Sequence, residues 1–146
     1  MNKGRGQRAI ESARDDLKLL YIDDSAAEDD ADVWWLQSQY EDLFKECRVR
    51  IARYEEPLLG VADGQELVAA LVAGPPKGDP WSGMSFSLCV KPDYRRRGLA
   101  RSLVETFMDY CEEMGFSPEA HVVNEEAMIP LLTDLGFTNE GPIWRY

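Results

Sequence analysis

Between residues 84 and 115 an alternating strand, a proline, three consecutive arginines, a glycine and an amphipathic helix follow one another almost without a gap. In the strand, Phe86, Leu88 and Val90 fall on one face and Ser85, Ser87 and Cys89 on the other. Pro92 cannot donate to a sheet ladder and ends the strand. From Gly98 the apolar residues Leu99, Leu103, Phe107, Tyr110 and Cys111 recur at helical spacing, and Gly115 closes the run. A strand that hands its chain to a helix through so short a loop must pack helix against sheet. That fixes the class as α/β before any other segment is read.

The loop itself, Arg95-Arg96-Arg97-Gly98-Leu99-Ala100, has the chemistry of an anion cradle. A helix start carries backbone amides with no intrahelical acceptor and the positive end of the helix dipole, both suited to phosphate oxygens. Gly98 and Ala100 have almost no side chain, so an anion can approach the main chain closely. The arginines add charge-assisted donors. Taken alone, three arginines also read as a solvated surface. The loop lacks the longer glycine-lysine pattern of nucleotide-triphosphate loops.

The remaining chain must supply the rest of one domain. At 146 residues it is long enough for a single core and too short for two. Residues 1–16 are charged and aperiodic and are expected to form a flexible arm, leaving 17–146 as one domain. Residues 17–22 read as a strand. Ser25 caps a following helix whose apolar positions run from Val33 through Tyr40, Leu43, Phe44, Cys47 and Ile51 to Tyr54, stopped by Pro57. Residues 58–62 and 67–73 form a hairpin across Asp63-Gly64. Residues 74–83 form a loop, 119–123 a strand, 125–135 a helix closed by Gly136, and Phe137 with 143–146 a last hairpin.

Charge and cysteine usage exclude several functions. The net charge of -11 disfavours nucleic-acid binding, which needs a basic surface. The acids at Asp23, Asp24, Glu28, Asp29, Asp30 and Asp32 suit a cationic partner; their bland alternative is a solvated helix start. Cys47, Cys89 and Cys111 are odd in number and widely spaced, which argues against a disulfide framework. With His121 the only histidine, no metal site is expected. No apolar run is long enough to span a bilayer. A cytoplasmic protein with no membrane partner is the expectation.

The segment Val90-Lys91-Pro92-Asp93-Tyr94-Arg95-Arg96-Arg97-Gly98-Leu99-Ala100 resembles the signature of the GNAT-type N-acetyltransferases. Their pattern is [RQ]-x-x-G-x-[GA] after a V-x-P-x-[YF]-R strand exit. A second resemblance is Asn124 before a helix that ends at Gly136-Phe137. The likeness covers about residues 57 to 146 and reaches the N-terminal third only through its strand-then-helix order. It implies an acyl-CoA N-acyltransferase-like fold: a mixed, mostly antiparallel sheet with flanking helices, splayed between its central strands. It implies that acetyl-CoA is the cosubstrate, its pyrophosphate held by Arg95, Arg96, Arg97, Gly98, Leu99 and Ala100. The backbones of Cys89 and Val90 would pair with the pantetheine arm, and Asn124 would contact the coenzyme beyond the splay.

The implied activity is acetyl transfer to a primary amine by direct attack within a ternary complex. A lysine-like amine of pKa ~10.4 must lose a proton before attack, at a cost of roughly 4.6 kcal/mol at neutral pH. A thiol of pKa ~8.5 leaves as thiolate for roughly 2 kcal/mol. The base is therefore the more demanding role. Glu119 and His121 on the 119–123 strand are the candidates, acting directly or through water. Glu55, Glu56 and Glu66 are further acids in the region, with an ordinary surface charge the bland alternative for each. The family often places a tyrosine four residues before Gly-Phe as acid; this chain has Leu132. Trp34, Trp35 and Trp81 are candidates to line an acceptor pocket, with core packing the alternative for one of the adjacent pair. The acceptor can be a small amine or a peptide or protein amine, and an exposed strand edge can pair two copies into a homodimer. The competing reading keeps the fold as a non-catalytic acyl-CoA-binding or partner-binding module.

Overall fold

The computed structural model describes residues 17–21, 31–51, 55–74, 83–96, 98–121, 128–140 and 143–146. The N-terminal arm, Asn124, Arg97, Trp81 and the acids from Asp23 to Asp30 lie outside the described residues.

The chain runs β1 (Leu17–Tyr21), α1 (Ala31–Cys47), β2 (Glu56–Asp63), β3 (Glu66–Gly74), β4 (Met84–Val90), α2 (Leu99–Met114), β5 (Pro118–His121), α3 (Met128–Asp134), β6 (Thr138–Glu140) and β7 (Ile143–Arg145). Its strands form one mixed sheet in the order β1-β2-β3-β4-β5-β7-β6. Every neighbouring pair is antiparallel except β4–β5. The expected architecture is the one observed.

Alternation along the central strands sends successive residues to opposite faces. Ala69, Leu71 and Ala73 of β3 join Phe86 and Val90 of β4 in one core, with Leu99, Leu103, Phe107 and Cys111 of α2 and Leu132 of α3. Ala70, Val72 and Cys89 face the other way, onto Leu36, Leu43 and Phe44 of α1. The larger core is anchored by Phe86 and Phe107, whose ring centroids are 4.9 Å apart.

Two boundaries differ from the reading of the sequence. Helix α1 stops at Cys47, where Arg48 takes a positive φ of 60° and the Val49 amide bonds back to the Phe44 carbonyl. Val49 and Ile51 keep the apolar spacing because they pack on the same core as α1, not because the helix continues. The hairpin strands also run longer than expected, Asp63 pairing with Glu66 across Gly64 at φ 62°. Most of the other ends that differ adjoin residues outside the described set.

Candidate active site

Strand β4 gives way to a single 3-10 turn, Pro92–Tyr94, and then to the arginine loop. The loop is pinned from below. The Tyr94 hydroxyl donates to Asp63 Oδ2 at 2.6 Å, and Lys91 is held by Glu66 and Glu46. The hydrogen bond that Lys91 Nζ donates to Glu66 is the largest of the effects that hold the ammonium's pKa above its ordinary value. Arg101 pairs with Asp134 of α3. Lys91 and Arg101 are thereby engaged within the chain, and the exposed Arg95 and Arg96 carry the loop's outward charge among the described residues.

Gly98 begins α2 in the left-handed region at φ 79°, which only glycine adopts without strain. A β-carbon built there would meet nothing within 4 Å among the described residues, which leave the space beside the helix start open. The first helical bond runs from the Ser102 amide to the Gly98 carbonyl at 3.0 Å. The helix itself therefore supplies no acceptor for the amides of Gly98, Leu99, Ala100 and Arg101. Open space, four such amides and guanidinium groups fit a diphosphate.

The splay is set by register. Strand β4 pairs with β3 along its length, from Ser85↔Gly74 to Val90↔Ala69. Against β5 it pairs only from Met84↔Pro118 to Phe86↔Ala120. Beyond Phe86, therefore, no described residue of β5 pairs with that edge of β4. The Lys91 amide bonds to the Val68 carbonyl of β3, and the Met84 amide to the Ser117 carbonyl on the β5 side. Backbone groups alternate along a strand, so Leu88 and Val90 turn their N–H and C=O groups to the open edge. Cys89, expected to share the role of Val90, turns its backbone to Ala70 of β3 and its side chain into the α1 core. Leu88, which alternation puts on the Val90 face, turns its backbone to the open edge in the position expected of Cys89. The Val90 carbonyl accepts from Arg95 Nε at 3.0 Å.

The face of β4 toward α1 carries two serines, Ser85 and Ser87. Ser85 is buried and donates to the Gly74 carbonyl. Ser87 is half-buried and its hydroxyl lies 3.1 and 3.2 Å from the two carboxylate oxygens of Glu55. Glu55 is only 6% exposed. Glu119 lies opposite Ser85 in register, 2% exposed, with Arg145 Nε 3.4 Å from its Oε1. Gly83 makes room for it: a β-carbon there would stand 2.5 Å from Glu119 Oε1. Two of the acids that composition would leave on the surface are thus buried on one side of β4. His121 is placed by its backbone opposite Ile143 at the end of β5.

Leu132 is fully buried in the larger core, so its position offers no acid. Trp34 is exposed and Trp35 packs partly on the α1 core. Among the described residues no His, Cys, Asp or Glu group could hold a metal ion, and no helix is long and apolar enough to cross a membrane.

The model of the acetyltransferase (GNAT) family matches residues 17–137. No curated protein matches the chain. Among solved structures, the ribosomal-protein-S18-alanine N-acetyltransferase from Escherichia coli is 17% identical, with a TM-score of 0.56 over 86% of this chain and 79% of that one. A GNAT acetyltransferase from Elizabethkingia anophelis with acetyl-CoA bound is 11% identical, with a TM-score of 0.56 over 88% and 80%. An aminoglycoside acetyltransferase from an uncultured soil metagenomic sample is 15% identical, with a TM-score of 0.56 over 87% and 91%. At these identities the likeness is one of fold.

Proposed function

The chain belongs to the acetyltransferase (GNAT) family, and from that premise we propose that it transfers acetyl from acetyl-CoA to a primary amine by direct attack in a ternary complex. The observation that carries this reading is the open edge of β4 ending at a basic loop and an uncapped helix start. Arg95, Arg96 and Arg97, with the amides of Gly98, Leu99 and Ala100, would hold the pyrophosphate. Acetyl-CoA supplies the activated acyl group. Leu88 and Val90 would receive the pantetheine arm as an added strand, and Asn124 would touch the coenzyme beyond it. Because Arg95 occupies the Val90 carbonyl, its guanidinium would leave that oxygen as the arm arrives and turn to the phosphates.

The Leu88 amide, on the open edge, would polarise the thioester carbonyl. Binding would contribute mainly by holding amine and thioester in attack geometry. Glu119 and His121 on β5 are the proposed proton acceptors. Solved relatives are named for a ribosomal-protein alanine and for aminoglycosides, so a peptide amine and a small amine are both supported as acceptors. A cytoplasmic setting and no nucleic-acid partner accord with the net charge of -11. The three exposed residues of β6 form the edge at which a homodimer would pair.

A second reading rests on Leu132: without an acid there, the fold could serve as a non-catalytic acyl-CoA-binding or partner-binding module. Calorimetry with acetyl-CoA, followed by thiol release with a panel of amines, separates the two. Binding and release support the transferase. Binding with no release from any amine supports the module. No binding by the wild type refutes the transferase and the acyl-CoA-binding module, and leaves only the partner-binding one.

A further inference from the structure

The side chains of β4 that face α1 are Ser85, Ser87 and Cys89. Ser85 and Cys89 are 2% and 3% exposed, and Ser87 alone among the three is open to solvent. Ser87 is also the residue next to Leu88, the first position whose backbone faces the open edge. Its hydroxyl donates to a carboxylate that reaches it from the start of β2, Glu55, itself buried. A serine that donates its proton to a carboxylate keeps its oxygen lone pairs for an incoming donor.

We propose that Ser87 and Glu55 form a proton route by which the acceptor amine is deprotonated beside the thioester. This rests on the acetyltransferase reading and adds to it a path on β4 distinct from Glu119 and His121 on β5. The acceptor ammonium donates a proton to Ser87 Oγ while the serine's own proton passes to Glu55. The net change is ammonium plus carboxylate to amine plus carboxylic acid, with Ser87 restored. The amine lone pair then forms the N–C bond as the C–S bond breaks. The second nitrogen proton goes to the departing sulfur, and Glu55 returns its proton to solvent.

Burial makes any carboxylate a better proton acceptor because it disfavours the charged form. Glu119 has Arg145 Nε 3.4 Å from its Oε1, a contact that ties β5 to β7. Ser87 is the catalytic residue in this scheme, since it touches the amine. Glu55 acts through it. The other titratable and charged groups on this face among the described residues include Glu56 beside Glu55, Tyr40, Glu41, Glu46 and Cys47 on α1, Cys89 on β4, Lys91 and Arg95 after it, and the Glu119–Arg145 pair.

The test compares wild type with Ser87→Ala, Glu55→Gln, the double variant and Glu119→Gln. Thiol release from acetyl-CoA is followed between pH 6 and 10 with butylamine, 1,4-diaminobutane and an alanyl peptide. Thermal melts and acetyl-CoA calorimetry check fold and coenzyme binding. Removal of general base catalysis lowers kcat by about 100-fold or more at neutral pH. Ser87→Ala and Glu55→Gln should each show that loss, and the double variant no further loss, because the pair acts as a unit. The deficit should shrink as pH rises and the amine arrives unprotonated, with coenzyme affinity within twofold of wild type. If Glu55→Gln unfolds the protein, Ser87→Ala alone decides.

A folded Ser87→Ala with wild-type kcat across the pH range overturns the route, as does a loss that is the same at every pH. A wild type that binds acetyl-CoA but releases no thiol with any amine defeats the transferase reading, and this route falls with it. A wild type that turns over while the β4 variants match it defeats the route alone.

Discussion

Gly83→Ala tests the packing that holds Glu119 in place. The backbone at Gly83 lies outside the left-handed region, so the penalty is steric. The new β-carbon would stand 2.5 Å from Glu119 Oε1, 2.7 Å from its Cδ and 3.0 Å from the Ser117 carbonyl oxygen. The last of these cannot yield, because the Ser117 carbonyl accepts the Met84 amide at 2.8 Å. The carboxylate must therefore move. Overpacking of this kind costs about 1–3 kcal/mol. A buried acceptor pushed off its partner adds about 1–3 kcal/mol, toward the low end because Arg145 is half exposed. We expect about 2–4 kcal/mol in urea denaturation, or about 6–12 °C in Tm for a domain of this size. A double-mutant cycle isolates the contact. In a Glu119→Ala background the clashing atoms are gone and only the approach to Ser117 remains, so Gly83→Ala should cost at least about 1 kcal/mol less there. Costs that add within about 0.5 kcal/mol would show that the two residues do not meet and that Glu119 is not held as described.

Three further outcomes follow from the same geometry. Gly98→Ala should destabilise by about 1–2 kcal/mol through φ 79° alone, since its β-carbon meets no atom; calorimetry should also show coenzyme A affinity down at least tenfold, and unchanged affinity would disprove close approach at this residue. Ser102→Ala should stabilise by about 1 kcal/mol in thermal melts, because its buried hydroxyl lacks a partner among the described residues and alanine is the better helix former; a loss of coenzyme affinity instead would give that hydroxyl a ligand. The Cys111 thiol is pushed up to about 12 by burial, so above about pH 9 the unfolded chain loses a proton that the folded one keeps. Stability should be intact below pH 9 and fall by up to about 1.4 kcal/mol per pH unit toward pH 12, and Cys111→Val should flatten that limb in denaturation measured against pH.

What the sequence disclosed is what local spacing encodes. The alternation of β4, the proline after it and the glycine at the start of α2 each act on neighbours a few residues away. Together they located the loop and the faces of the strand. Spacing misled where tertiary packing imitates it, as at Val49 and Ile51 beyond the end of α1. The splay became expected only through a family resemblance, because pairing of β4 with β5 joins residues more than thirty positions apart. Glu55 and Glu119 were visible as acids but not as buried ones. Nothing local to either announces Ser87 or Gly83, the residues that accommodate them.

The geometry makes β4 the element on which each part of the proposed chemistry depends, and strand parity explains how one short strand can serve three purposes. Even-numbered side chains, Phe86, Leu88 and Val90, face the core that carries α2, so the helix and its anion loop are fixed to the strand that leads to them. The backbone groups of Leu88 and Val90 face the edge that the described residues of β5 do not pair with. The odd-numbered Ser85, Ser87 and Cys89 face α1, where buried acids approach. A shift of one residue in the register of β4 against β3 would exchange all three at once: serines into the larger core, Leu88 and Val90 toward α1, and the free edge onto Ser87 and Cys89. The coenzyme edge and the proton route are therefore not separable sites. Any change that slips β4 should abolish coenzyme binding and shift the pH dependence together, whereas Ser87→Ala should alter only the second.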